Sequence, residues 1–502
     1  MGPMRIRVLL DGRQPRRWHV DLLERLARRP HVQVHVDARF APSRAVADSL
    51  FHIETLLHGL PRTGLSSLAP MSALEPFVRD SLATADLTLD LRGDDRRASG
   101  RTLWVTYDGV AGEGALIAAI ISGRTPVMEV VGVEGVVAAG RLGAERAGIA
   151  RAMFEDMLAR STTLIVAALD GAAGSKLPSL PAVDVPVGAT MALSTSDLPR
   201  IAVAMAARKA VRQMYRLGFR TPHWRVGWRK TDGGDLFDLR RHPDAGWTDL
   251  ADDGRRFYAD PFPILHGAQV TLFVEEFEHR SAKGVISAVE MGPEGPIGVP
   301  RRVLEQPGHL SYPFVFEREG SFWMIPESCS AGVIDLYRAT AFPGGWVREA
   351  TLVSGVVASD ATLLRREGLW WLFATVRDEG GSFSDALHLW SAPDFRGPWT
   401  PHPRNPVLID IASARPAGRF VERDGVLYRP VQDCRHGYGA ALGIARVDRL
   451  DPRNYAQTVE TLLTAGPKWS GRRLHTLNSA GGFEFIDGSA WAPRWKAWGR
   501  QG

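Results

Sequence analysis

The chain reads as an α/β N-terminal domain followed by an all-β five-bladed propeller, on three observations. Five times between Tyr258 and the C-terminus a strand opens in the same way: Ala259-Asp260-Pro261-Phe262-Pro263, Ser311-Tyr312-Pro313-Phe314-Val315, Ser359-Asp360-Ala361-Thr362-Leu363, Ala414-Arg415-Pro416-Ala417-Gly418 and His475-Thr476-Leu477-Asn478-Ser479. These openings are spaced by roughly fifty residues, and a period of that size with several short strands per unit predicts one sheet per repeat around a central channel. Most openings lead through a charged or Gly-containing turn into an aromatic-rich second strand, such as Ser321-Phe322-Trp323-Met324-Ile325 or Leu369-Trp370-Trp371-Leu372-Phe373. Upstream, residues 1–171 alternate short apolar runs with helix-period segments, which predicts βαβ units and a mainly parallel sheet covered on both faces.

Within that first stretch the expected strands are Arg5 to Leu10, Val32 to Val36, Leu87 to Leu91, Leu103 to Tyr107, Val127 to Val131 and Leu164 to Ala168. Helical periodicity marks Trp18 to Arg28, Ala115 to Ser122 and Glu145 to Arg160. Residues 172–222 read as linker and helix: Ala172 to Gly188 is rich in Gly, Ala, Pro and Ser, and Ser196 or Asp197 can cap a helix through Ile201 to Leu217, stopped by Gly218. That helix carries Arg208, Lys209, Arg212 and Arg216, which suits a solvated face better than a membrane-surface one. The propeller is assigned to residues 223–502. Its fifth repeat is short of strands, so the isolated alternating run 223–229 is expected to complete the last blade and close the ring, leaving fewer exposed edges.

At 502 residues the chain is best read as two domains, or at most three. A formal charge of +5 with no basic run interleaved with aromatics excludes nucleic acid as an expected partner. Cys329 and Cys434 fall in different repeats and read as two free thiols, which suits a reducing compartment. Met4 to Leu10 lacks the apolar core of a leader, and no apolar stretch is long enough to cross a bilayer, so a cytoplasmic location without stable membrane insertion is expected. No Gly-x-Gly-x-x-Gly fingerprint follows the first strand, and no Gly-Lys-Ser/Thr, His-Glu-x-x-His or Cys-x-x-Cys occurs, so no cofactor and no metal are expected from motifs, with an ion held in the channel by Asp and His of different blades left open.

The runs Phe257 to Pro263, His309 to Val315, Ile325-Pro326-Glu327-Ser328, Asp360 to Leu363, Ser413 to Gly418 and His475 to Asn478 together resemble the N-terminal domain of glucosamine inositolphosphorylceramide transferases. More distantly, the repeats look like the five-bladed propellers of arabinanase and xylosidase-type glycoside hydrolases. The N-terminal half is similar to the formyltransferase fold, a Rossmann-like arrangement whose active site uses an Asn, a His in a His-x-Ser context and a distal Asp. No His-x-Ser stands in that half, where Leu103 to Gly109 occupies the expected place, so the domain is read as degenerate and formyl transfer is not expected of it. The triplet His309-Leu310-Ser311 belongs to the propeller repeats.

In a propeller the innermost strands line the channel, so Asp260, Tyr312, Asp360, Arg415 and His475 are expected to form one ring. The glycoside hydrolase resemblance implies Asp260 as general base and Asp360 as the carboxylate that orients the acid. The Glu that would act as acid in blade four is replaced by Arg415, a loss that typically costs about 10²- to 10⁴-fold. Two remedies are open: Glu327, Glu275 or Glu276 reaches inward to protonate, or the leaving group is a phosphate bound by Arg415. Substrate-binding candidates are therefore Arg415, Tyr312, His475, Asn478 and Glu276, beside Asp260, Asp360 and Glu327 as catalytic candidates. The competing structural reading has the aspartates capping turns and Arg415 pairing with an Asp between blades. It applies most readily to His475, Asn478 and Tyr312.

The functional expectation is a propeller that recognises or acts on a carbohydrate or sugar-phosphate through Asp260 and Asp360, by glycoside hydrolase-like or glycosyl-transfer chemistry. The alternative is a non-catalytic glycan-binding or scaffolding module, with a protein partner left open.

Overall fold

The computed structural model describes residues 3–11, 15–39, 45–78, 85–93, 100–171, 195–243, 245–378 and 380–494. The chain divides into two compact units, Met1–Lys209 with Glu379–Ser382, and Ala210–Asp378 with Phe383–Gly502. The loop expected over Ala172 to Gly188 lies outside the described residues.

The first unit holds a mixed sheet. Met4–Asp11 runs parallel to Val32–Arg39 and to Leu87–Asp90, and the last is parallel to Thr102–Tyr107. Val127–Gly132 and Gly135–Arg141 then extend the sheet as an antiparallel hairpin. Leu87–Asp90 is buried at every residue, as a strand covered on both faces must be. Helices Arg17–Ala27, Ala45–His58, Glu113–Ile121 and Ala150–Gly171 accompany the sheet, and the first inserts Leu22, Leu23 and Leu26 into the core.

One expected strand is overturned. Leu164 to Ala168 belongs to the helix Ala150–Gly171. A short apolar run has no periodicity of its own that separates a buried strand from a buried helix turn, and here the helical period continues through it. The hairpin partner Gly135–Arg141, missed in the sequence, has only the short apolar run Val136 to Ala139, bounded by glycines and exposed at its first residues.

The second unit is a five-bladed β-propeller. Blade I begins with Arg256–His266, Gln269–Glu278 and Lys283–Gly292, and blade II is Ser311–Arg318, Ser321–Glu327, Val333–Ala341 and Gly344–Ser354. Blade III begins with Ala358–Arg366, Leu369–Val376 and Ala386–Ala392, and blade IV is Val421–Arg423, Val426–Asp433, Ala441–Asp451 and Asn454–Leu463. Blade V joins the two ends of the unit: Leu477–Ala480 pairs with Phe483–Ser489, which pairs antiparallel with Trp224–Lys230, which pairs with Thr248–Asp249. Glu484 locks this closure, its side chain accepting from Arg229 Nε at 2.7 Å and from the Leu236 backbone N–H at 2.6 Å. Aromatic side chains fill the space between the first three blades, with Phe262, Phe273, Tyr312, Phe314, Trp323 and Phe395 all buried in one cluster.

Candidate functional site

Three of the five repeated sequence openings are β-bulges. In blades I, II and III the register shifts between Ala259 and Phe262, between Ser311 and Phe314, and between Ser359 and Thr362. At the centre of each bulge sits a non-glycine residue in left-handed backbone: Asp260 at φ +50°, Tyr312 at +43° and Asp360 at +55°. Such a conformation costs about 1–2 kcal/mol per residue, and bulges re-aim side chains and backbone groups. Here each re-aimed N–H donates to a carboxylate of the neighbouring blade. Asp260 N–H meets Asp487 Oδ2 at 2.8 Å, Tyr312 N–H meets Asp260 Oδ2 at 3.0 Å, and Asp360 N–H meets Glu327 Oε2 at 3.0 Å.

Side chains extend the network around the ring. Arg415, from the loop entering blade IV, donates from Nε to Asp360 Oδ2 at 2.6 Å and from Nη2 to Asp360 Oδ1 at 3.3 Å. The same guanidinium reaches Glu327 Oε2 at 3.4 Å and Ser384 Oγ at 3.3 Å. Gln432 Nε2 donates to Asp360 Oδ2 at 2.8 Å. Across the ring, His475 Nδ1 lies 2.8 Å from Asp487 Oδ2, and its Nε2 lies 2.6 Å from the Tyr438 hydroxyl and 3.4 Å from Asp260 Oδ1. Thr476 Oγ1 donates to Asp260 Oδ1 at 3.0 Å. Tyr312 ends away from the carboxylates, its hydroxyl 2.9 Å from Thr362 Oγ1.

Burial sets the electrostatics. Loss of water pushes the Asp260 carboxyl up to about 7 against the opposing pull of His475, and pushes Asp360 up to about 7 against that of Arg415. Burial works against the His475 imidazolium, yet Asp487 and Asp260 hold its proton so firmly that it titrates near about 9. Burial also opposes the Arg415 charge, but Asp360 holds the proton well above the ordinary guanidinium range. A second arginine, Arg419, has carbonyl partners: its Nη2 donates to Val315 O and reaches Pro263 O at 3.5 Å, and its guanidinium stands over the Phe262 and Phe314 rings. Burial lowers it to about 10.

Of the sequence candidates, Asp260, Asp360, Glu327, Arg415 and His475 come together with Tyr312 at their backbone. Asn478 serves as a brace, donating from Nδ2 to Pro261 O at 2.9 Å and accepting from Arg419 N–H at 2.9 Å. Glu276 accepts from Arg256 at 2.6 Å and from Ser287 at 2.6 Å. Its neighbour Glu275, on the other face of the strand, meets His309 Nε2 at 3.2 Å. His309 also accepts the Gly284 N–H at Nδ1, 2.9 Å away. Sequence reasoning missed Asp487, Gln432 and Tyr438. A signal for the first two was present: the second strands pair Glu275 with Ala259, Glu327 with Ser311 and Thr375 with Ser359. Gln432 N–H donates to Arg415 O, and His475 N–H to Asp487 O, which puts a polar residue at the equivalent place in all five blades.

Asp260, His475 and Asp487 bring one ligand atom each within 4.8 Å of one another, a spacing that could hold a cation. Their donors are already engaged: Asp487 Oδ1 accepts from the Thr476 N–H at 2.7 Å and Oδ2 from the Asp260 N–H. The set therefore fits a hydrogen-bonded carboxylate–histidine pair better than a metal centre.

Residues 248–482 match the family model described as glucosamine inositolphosphorylceramide transferase 1, N-terminal. The chain is 33% identical over 235 residues to glucosamine inositolphosphorylceramide transferase 1 of rice (Oryza sativa subsp. japonica), covering 44% of this chain and 31% of that protein. To the protein of the same name from Arabidopsis thaliana it is 33% identical over 231 residues, covering 44% and 30%. The chain thus spans less than a third of the length of these curated relatives. Among solved structures, a family 117 glycoside hydrolase of Zobellia galactanivorans superposes with a TM-score of 0.35 at 11% identity, over 53% of this chain and 90% of that one. A GH43 protein of Bacillus licheniformis gives a TM-score of 0.33 at 16% identity, over 44% and 51%. Over residues 248–482, then, this propeller is similar to the N-terminal region of the glucosamine inositolphosphorylceramide transferases.

Proposed function

We propose that the propeller recognises a carbohydrate, including sugar-phosphates, at the ring of Asp260, Asp360, Arg415 and His475, and does so as a binding module. The observation that carries this reading is the commitment of both aspartates. Each carboxylate oxygen of Asp260 and Asp360 already accepts a hydrogen bond from a neighbouring blade or from Arg415, so neither is free to activate water. Tyr438, by contrast, is 39% exposed while its hydroxyl is tied to His475. The Arg415 guanidinium stands 4.8 Å from the centre of this ring and His475 packs edge-on to it, and an aromatic ring so fixed that keeps some exposure suits contact with a sugar. The resemblance of residues 248–482 to a glycosyltransferase's N-terminal region supports the ligand class. The N-terminal unit is taken, on the same reading, as a formyltransferase-like domain without formyl transfer, supported by its parallel strand order and the missing His-x-Ser.

A second reading, glycosyl transfer or hydrolysis, is favoured by one observation: a carboxyl held near about 7 at Asp260 beside an imidazole is the setting of a general acid. The two are separated by titrating a panel of glycans, sugar phosphates and nucleotide sugars into the wild type while resolving products. Saturable binding without product, weakened at least about tenfold (some 1.4 kcal/mol) by Tyr438→Ala, is expected. Product formation that disappears in Asp260→Asn would replace the binding reading with the catalytic one.

A further inference from the structure

Helix Leu198–Gly218 has its apolar side open to solvent. Val203, Val211, Met214 and Leu217 are 70%, 65%, 71% and 73% exposed, and Ala207 and Ala210 are exposed with them. Val203, Ala207, Ala210, Met214 and Leu217 follow one another in steps of four and three, which lines them up along a single helix face, with Val211 at its edge. The opposite side carries Met205, buried, and Lys209, whose ammonium donates to Leu57 O. Arg208, Arg212 and Arg216 share that opposite side. A surface helix of a globular protein normally turns its apolar stripe inward; this one does so only through Leu198, Ile201 and Met205, and carries a second apolar stripe that is exposed.

We propose that this helix is a docking element for an anionic lipid surface, lying in the plane of the bilayer interface with Val203, Met214 and Leu217 inserted. Charge selects this occupant. The helix carries Arg200, Arg208, Lys209, Arg212 and Arg216 and no Asp or Glu, which favours a negatively charged surface. Residues 172–194 hold one Lys and one Asp, Lys176 and Asp184, and so offer no negative charge to match. Among the described residues no helix is long and apolar enough to cross a membrane, so the mode is attachment in the plane of the surface. The basic residues are exposed, as the solvated-face reading of the sequence expects, and the inference adds a role for the exposed apolar stripe opposite them.

The test is co-sedimentation of the full chain with vesicles of mixed phosphatidylcholine and phosphatidylglycerol, against phosphatidylcholine alone. Sedimentation with the anionic vesicles, weakened by salt and reduced at least about tenfold in Met214→Glu/Leu217→Glu, is the expected result. Circular dichroism of the double variant checks that the fold is kept, and Arg208→Gln/Arg212→Gln gives an independent loss through charge alone. The proposal is overturned if the wild type stays in solution with anionic vesicles, or if the apolar double variant binds as well as the wild type. It is overturned equally by a lipid-free dimer that the double variant abolishes, which would assign the stripe to a second copy. Binding that appears only after deletion of residues 172–194 would assign it to that segment and overturn the proposal as well.

Discussion

Arg415 Nε donates to Asp360 Oδ2 at 2.6 Å, and this one bond ties the loop entering blade IV to the bulge of blade III. Both partners are almost fully buried, Asp360 at 2% and Arg415 at 6% exposure. Asp360 holds Gln432 as well, and its own N–H is held by Glu327, so blades II, III and IV meet at one residue.

Removing the cation should therefore be costly. Arg415→Met leaves the Asp360 carboxylate buried with Gln432 as its remaining side-chain donor, and a loss of about 3–5 kcal/mol is expected in urea unfolding. Pairing Arg415→Gln with Asp360→Asn neutralises both groups, and the double variant should recover about 1–3 kcal/mol relative to the sum of the singles. Strict additivity would mean that the pair does not couple the blades.

His475 predicts a pH dependence of known sign. Its imidazole titrates near about 9 in the folded protein, above the ordinary value of 6.5, because Asp487 and Asp260 overcome the effect of burial. Between those two values the folded state keeps a proton that the unfolded chain has released, so stability falls as pH rises, with a slope approaching ~1.4 kcal/mol per pH unit. The stabilisation is complete below 6.5 and lost through about 9. Asp260 and Asp360, pushed up to about 7, act in the same direction at lower pH. Urea midpoints across this range should show the decline, and Asp487→Asn should flatten its upper part.

The left-handed backbone at Asp260 distinguishes its substitutions. Asn tolerates positive φ and keeps one acceptor for the Tyr312 N–H, whereas a β-branched residue does neither. Asp260→Val is expected to be less stable than Asp260→Asn by at least about 1–2 kcal/mol, measured by thermal or urea unfolding. Equal stability would place the strain elsewhere.

Cys329 tests the local field of Glu327. Burial and the adjacent carboxylate push its thiol up to about 11, although the side chain is partly accessible. Alkylation by iodoacetamide near neutral pH should be slower than for an ordinary thiol, because the thiolate is the nucleophile. Glu327→Gln should accelerate it.

The propeller is legible because its first three blades repeat one local device. The residues flanking Asp260, Tyr312 and Asp360 recur since the same bulge is built each time, and a recurring backbone needs recurring neighbours. The partners of those residues were harder to read. Asp487 and Gln432 share only a polar residue type at an equivalent place in the second strands, Tyr438 lies in a loop, and all three become neighbours of the ring through strand register and ring closure. Glu275 and Glu276 are adjacent in sequence, yet the two-residue period of a strand sends one toward His309 and the other toward Arg256. In the first unit, Leu164 to Ala168 was misread because burial on a long helix looks like burial in a strand over so short a run.

The central claim is recognition at the ring without bond cleavage. Calorimetric titration of the wild type with the glycan and sugar-phosphate panel, with each mixture then resolved for products, tests it most directly. Saturable binding that Tyr438→Ala weakens, with every ligand recovered intact, is the predicted result. Cleaved or transferred product that vanishes in Asp260→Asn, or the absence of binding across the panel, would contradict it.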